Sequence, residues 1–378
     1  MIVGFLGLGI EIIALLIGGA AAVGIIVFMP VLKLVLDIAE YSYSNTRISG
    51  MNGALVKGKR YSELLDAQNL DEFVGMLDNS PYTEFFGKLG TNINDETVER
   101  AIEEEYAFEK DKIMSILPDS AGRLLRVYFK REEVRLIKNI LRGISSGDRS
   151  MLGELQPLGA INPARLGSLL EAENVKEFVA RLEGTQYYEP LNNAYPEYEE
   201  AKNLIFLESA IDRYILDQIW KYTAYAENLQ ILREFIGLEI DINNIMVSLR
   251  AKEDKIRGQE LERHLIRGGL QLNEKRLKEV SDAEGVQDVV SLLEQTNYGP
   301  VLSEVLPKYD AEGIVVFQNA LRKYSVGVSK NFAAQTFQLG PTLAYLIRKE
   351  NEVTNLKTIV NCKAVGMDKT RIEGMLVV

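Results

Sequence analysis

The chain has 378 residues, with 43 Lys and Arg against 54 Asp and Glu and a formal net charge of -11. That balance repels phosphate backbones and argues against nucleic acid as the main partner, while a hydrophobic fraction of 47% supplies enough apolar surface to exclude global disorder. Cys362 and His264 are the single members of their kinds, which excludes an internal disulfide and a structural zinc site built from about four Cys/His ligands.

The first predicted element is hydrophobic. From Ile12 to Leu32 the chain runs 21 residues without a charge, between Glu11 and Lys33. At ~1.5 Å per residue that is about 31 Å of helix, enough for a hydrocarbon core of ~30 Å. No Lys or Arg precedes Lys33, so the run lacks the basic start of a signal peptide. It predicts a retained membrane helix over Ile12–Leu32. Lys33, Arg47, Lys57, Lys59 and Arg60 follow it, which by the positive-inside rule places the remainder on the cytoplasmic face of the membrane.

Gly53-Ala54-Leu55-Val56-Lys57-Gly58-Lys59-Arg60 comes next. It fits the glycine and lysine spacing of a phosphate-binding loop, but Arg60 stands where a magnesium-binding Ser or Thr belongs. The preceding stretch is polar and helix-like rather than a strand, so a basic loop is expected and no nucleotide site.

A repeat then organises the chain. The block LLDAQNLDEFVGML from Leu64 to Leu77 returns as LLEAENVKEFVARL from Leu169 to Leu182, and more loosely as EVSDAEGVQDVVSLL ending at Leu293. Each copy is followed five residues later by a tyrosine, Tyr82, Tyr187 and Tyr298, spaced 105 and 111 residues apart. A second motif begins at Glu133, Asp241 and Glu352, spaced 108 and 111 residues apart. Two independent motifs in one order with nearly one spacing indicate three structural repeats. Leu70, Phe73, Val74 and Leu77 fall at i, i+3, i+4 and i+7, and Val175, Phe178, Val179 and Leu182 repeat that helical stripe, as do Val286, Val289, Val290 and Leu293. The linking segments are rich in helix formers, prolines such as Pro118 and Pro163 punctuate them, and no sustained alternation suggests a sheet. The expected fold is all-α, with a membrane segment over 1–36 and helical repeats over 37–150, 151–258 and 259–378.

Residues of the types that carry chemistry read as structural. Glu103, Glu104, Glu105, Glu109 and Asp111 form a charge run of the kind that is usually a solvated helix face. His264 lies within Glu260–Arg267, an ordinary charged amphipathic helix, and is expected on its solvated surface with no oriented nucleophile nearby. Trp220 is expected in core or interface packing. No catalytic, cofactor-binding or metal-ligating residue is expected.

With these motifs in place, the chain resembles the C subunits of archaeal A-type ATP synthases, which are related to the d subunits of vacuolar ATPases. The resemblance is carried by Tyr128-Phe129-Lys130-Arg131-Glu132-Glu133-Val134, by Glu239–Ile245 with Leu249–Lys252, by Tyr345–Val353, and by the three LLEAENVKEF-like blocks, over roughly Tyr41 to Gly366. It implies a funnel of three helical lobes about a pseudo-threefold axis. It further implies a non-catalytic central-rotor connector, seated on membrane rotor ring subunits and receiving the central stalk subunits, for ion-driven ATP synthesis or ATP-driven ion pumping. Cofactor and direct nucleotide binding are not implied. Members of that family are largely soluble, so Ile12–Leu32 is a departure, expected to occupy the lumen of the rotor ring. The alternatives are a membrane-tethered helical adaptor unrelated to ATPases, and a nucleotide-dependent enzyme using Lys59.

Overall fold

The computed structural model describes residues 28, 29, 31, 32, 35 and 39–378, apart from 150, 151, 153, 154, 225–229 and 337. Among them the chain is helical, with one isolated bridge between Leu158 and Ile161 in place of any strand.

The element order repeats. After α1 (39–53), a pair of short helices, α2 (Lys59–Asp66) and α3 (Leu70–Met76), leads through α4 (Thr83–Phe86) to two long ones, α5 (Asp95–Ile116) and α6 (Asp119–Ser146). The second round is α7 (Pro163–Leu170), α8 (Val175–Arg181), α9 (Tyr188–Ala201), α10 (Ile205–Ala224) and α11 (Gln230–Glu253). The third opens with α12 (Gln259–Glu262), then runs α13 (Glu274–Asp282), α14 (Val286–Leu292), α15 (Gly299–Val305), α16 (Tyr309–Glu312), α17 (Val315–Ala333) and α18 (Gly340–Ala364). A last helix, α19 (Lys369–Met375), follows.

Local chemistry sets the short helices. Asn69 caps α3 and Asn174 caps α8, each side chain accepting from the N–H three residues on; Asn162 and Asn273 do the same for α7 and α13. Each cap satisfies one of the unpaired donors at a helix start. The repeated stripe is core: Phe73, Phe178 and Val289 are each 0% exposed.

Packing is offset by one round. α6 packs on α8 and α10, α11 on α13, α14 and α17, and α18 returns to α3 and α5. Each round therefore lends its last long helix to the next, and the third lends to the first. One hydrophobic cluster accordingly joins Tyr61–Tyr106 to Val353, Leu356, Ile359, Val360 and Ile372, while a second holds α1, α6 and the rest.

Two expectations about helix placement fall here. A membrane helix over Ile12–Leu32 is not upheld: among the described residues no helix is long and apolar enough to cross a membrane. Of that run only Phe28, Met29, Val31 and Leu32 are described, about 6 Å of helix against the ~30 Å needed, and the rest lies outside the described residues. The helix that follows, α1, carries Glu40 and Arg47 and buries Tyr41, Ile48 and Met51 in the protein core. The expected localisation on the cytoplasmic face by an inserted helix rested on that run and falls with it. His264 is the second correction. It sits in the turn after α12, buried rather than solvated, with Nδ1 2.9 Å from Ser209 Oγ and Nε2 3.1 Å from Glu197 Oε2. Burial holds its imidazole below the usual histidine range against the pull of Glu197.

Phe178→Ala is expected to cost about 3–5 kcal/mol, the range for emptying a filled aromatic site. Denaturant unfolding measures it, and a loss below ~1 kcal/mol contradicts the assigned core.

Candidate functional site

The two repeated motifs meet across rounds. Tyr187, just before α9, donates its hydroxyl to Glu133 of α6 at 2.7 Å. Tyr298, just before α15, donates to Asp241 of α11 at 3.0 Å. Tyr82, just before α4, donates to Glu352 of α18 at 2.6 Å. All six side chains are buried. Each tyrosine reaches the carboxylate of the preceding round, and the first tyrosine reaches the last carboxylate, so the three joints close a cycle.

A backbone donor completes each joint. Val56 N–H donates to Glu352, Ala160 N–H to Glu133 at 3.1 Å, and Gln271 and Leu272 N–H to Asp241 at 2.6 and 3.2 Å. These donors lie in the loops that enter α2, α7 and α13. In the second and third rounds the loop approaches closely enough to demand glycine. A Cβ on Gly159, whose φ is +55°, would lie 2.1 Å from Glu133 Oε1, and one on Gly269 would lie 1.9 Å from Asp241 Oδ1. Burial dominates the electrostatics: it pushes the Asp241 carboxyl up to about 6 and holds all three tyrosines above the ordinary phenol range.

Two residues before each joint carboxylate stand Arg131, Glu239 and Glu350. These equivalent positions of α6, α11 and α18 converge. Arg131 pairs with Glu239 at 2.6 Å and approaches Glu350 at 4.0 Å. Tyr128 donates to Glu239 at 2.8 Å and lies under the Arg131 guanidinium, 4.5 Å from the ring centre. Tyr106 donates to Glu350 at 3.2 Å. From this meeting point a cavity of about 840 Å³ extends between the long helices. Arg135, Asn243 and Thr354 line it one turn on from the three ionic residues. Further along, Lys138 pairs with Asp212 at 2.6 Å, and Arg142 grips Glu208 through two bonds of 2.6 and 2.7 Å. The wall thus sets paired charges among apolar side chains such as Leu238, Met246 and Ile347, and is fixed by α6, α10, α11, α17 and α18.

The joint between Tyr82 and Glu352 has further members. Lys349, 1% exposed, donates to Tyr82 at 3.0 Å and to Glu352 at 2.8 Å, and meets Glu105 of α5 at 2.7 Å. Glu109, also buried, accepts from the Tyr345 hydroxyl. Glu105 and Glu109 were expected on a solvated face; they lie inside because α18 packs on α5. Of the same run, Glu103 is exposed and pairs with Lys357.

The Gly53–Arg60 segment joins α1 to α2, so a helix precedes it rather than a strand, and Lys59 opens an eight-residue helix. Trp220 is half-buried against the core, with the Arg233 guanidinium 4.7 Å over its ring. Ser209, His264 and Glu197 form a chain, but Ser209 is buried and donates to the Ile205 carbonyl at 2.6 Å, which leaves no exposed nucleophile in it. Lys349 and Arg131 were given no role by sequence reasoning, although the spacing of Arg131, Glu239 and Glu350 relative to the second motif was available to single out Arg131.

Residues 44–375 match the ATP synthase (C/AC39) subunit family, and the chain belongs to that family. Similar proteins bear the name of the C subunit of the A-type ATP synthase. The one from Methanocaldococcus jannaschii is 32% identical over 354 residues, 91% of this chain and 88% of its own length. The one from Methanothermobacter thermautotrophicus is 32% identical over 372 residues, 96% and 94%, and the Pyrococcus abyssi protein is 27% identical over 359 residues, 91% and 92%.

Tyr298→Phe leaves Asp241 buried with one donor fewer and is expected to cost about 1–3 kcal/mol in urea unfolding. Because the folded carboxyl titrates at about 6 rather than 3.8, its contribution is complete below pH ~4 and is lost as pH climbs through ~6. Asp241→Asn is expected to flatten that part of the stability profile, and an unchanged slope contradicts the assignment.

Proposed function

We propose that the chain is a non-catalytic connector in the central rotor of an A-type ATP synthase, joining the rotor ring subunits to the central stalk subunits. In that position it couples ion-driven ATP synthesis, or ATP-driven ion pumping, to rotation without binding nucleotide. The observation that carries this reading is the cycle of three buried tyrosine–carboxylate joints beside a cavity between the long helices. A part that transmits torque must resist shear between its lobes, and each joint opposes sliding by directional bonds inside a desolvated site. The cavity suits the end of a protein partner, because its wall offers paired charges and amides beside apolar side chains such as Leu238, Met246 and Ile347. Family membership also argues against the reading as an adaptor unrelated to ATPases. The chain divides, on this reading, into repeats over 37–150, 151–258 and 259–378, each handing its last helix to the next.

Thr354 is exposed and faces the cavity one turn beyond Glu350. Thr354→Trp narrows the cavity without removing any joint, so folding stability is expected to hold within about 0.5 kcal/mol. Binding of purified central stalk subunits is expected to weaken about tenfold or more, which is ~1.4 kcal/mol, with ring binding unchanged. Undiminished stalk binding refutes the cavity as its seat. Titration of the protein with ATP and magnesium is expected to give the same absence of binding before and after Lys59→Ala.

A further inference from the structure

Of the three joints, two link rounds that follow one another along the chain. The third, Tyr82 with Glu352, has no such backbone link and closes the cycle between α5 and α18. It is also the joint with the most buried charge. Glu105 and Glu109 come from α5, Lys349 and Glu352 from α18, and Tyr61, Tyr82 and Tyr345 bring phenols against them. Glu105, Glu109, Lys349 and Glu352 are each at most 4% exposed. Lys112, 3.2 Å from Glu109, is a second cation at the cluster, and its side chain is 35% exposed, partly in solvent. Arg322 of α17 acts on Tyr61 at the cluster's edge. Inside the cluster three carboxylates therefore face one lysine. Lys349 neutralises one carboxylate and Lys112 partly offsets Glu109, which leaves an excess negative charge in a desolvated site. Such a charge is removed most readily by taking up a proton.

We propose that this closing joint is a proton-operated latch: a proton on Glu105 holds the α5–α18 seam shut, and its loss loosens that seam while the other two joints stay closed. The geometry favours Glu105 as the proton carrier. Glu352 accepts from Lys349, Tyr82 and the Val56 N–H, and Glu109 accepts from Tyr345 and Lys112. Glu105, among the described residues, has Lys349 alone. Burial, with Lys349 pulling against it, pushes the Glu105 carboxyl from 4.5 up to about 7. A group raised in the closed state and ordinary in the open state stabilises closure below pH ~4.5, and that contribution drains away as pH rises through ~7.

Hydrogen exchange on the full chain tests the latch. Between about pH 6 and pH 8.5, linkage with these two values weakens closure about tenfold, whereas Asp241, raised to about 6, weakens its joint only about twofold. Amides of α2, α3, α5 and the second half of α18 are expected to exchange about tenfold faster at the higher pH, after correction for the intrinsic rate, with α8, α10 and α14 changing about twofold or less. Glu105→Gln mimics the protonated acid and is expected to abolish that difference. Equal change across all helices, or an undiminished difference in Glu105→Gln, overturns the proposal. Should Glu105→Gln fail to fold, carbon-13 labelling of the glutamates in the unaltered protein, with the Glu105 carboxyl assigned, decides: a Glu105 carboxyl titrating near neutrality supports the latch, and one titrating in the ordinary carboxylate range refutes it.

Discussion

A phenol hydroxyl set against a buried carboxylate is the constraint on which this molecule depends. Taking a carboxylate out of water is costly unless every lone pair finds a donor. Two donors recur in every joint, a tyrosine after the second short helix and the loop before the first, and at Glu352 Lys349 of the same helix adds a third. Neither of the recurrent donors lies in the round that supplies the carboxylate. A long helix can therefore bury its acid only when the next round is already folded against it. Stability in one round is conditional on its neighbour, and around a closed cycle that condition has no free end.

The offset packing follows from the same requirement. α6, α11 and α18 each place their acid inside another round's core, so the hydrophobic stripes of those helices are buried there as well. Where the equivalent positions one half-turn earlier meet, the chain uses one arginine and two glutamates rather than three identical residues. Three like charges at a common point would repel, and an internal repeat, unlike a homotrimer, is free to break its symmetry there.

Much of this was legible in sequence. The stripes ending at Leu77, Leu182 and Leu293, the recurrent tyrosine and the recurrent acid pointed to three rounds and the all-helical class, because periodicity and spacing are local properties. The pairing was not legible. Tyr187 lies 54 residues beyond Glu133 and Tyr82 lies 270 before Glu352, and nothing in a motif states which copy it will meet. The same gap explains Glu105 and Glu109. On an isolated helix they belong to a charged face, and only the return of α18 buries them. His264 failed for a related reason: its charged neighbours suggest a surface helix, yet α12 ends at Glu262 and the chain turns inward. The hydrophobic run before Lys33 was read from its length and its flanking charges, and among the described residues no helix is long and apolar enough to cross a membrane.

The lobe that contains Tyr61–Tyr106 finishes its core with Val353–Ile372. A ribosome adding roughly 5–20 residues per second makes the first half of that core about 12–50 s before the second. During that interval Leu64, Phe73 and Ile102 lack the cover of α18. The portion of the chain born earliest is thus completed last, and its apolar face must be kept from other chains until translation has nearly ended.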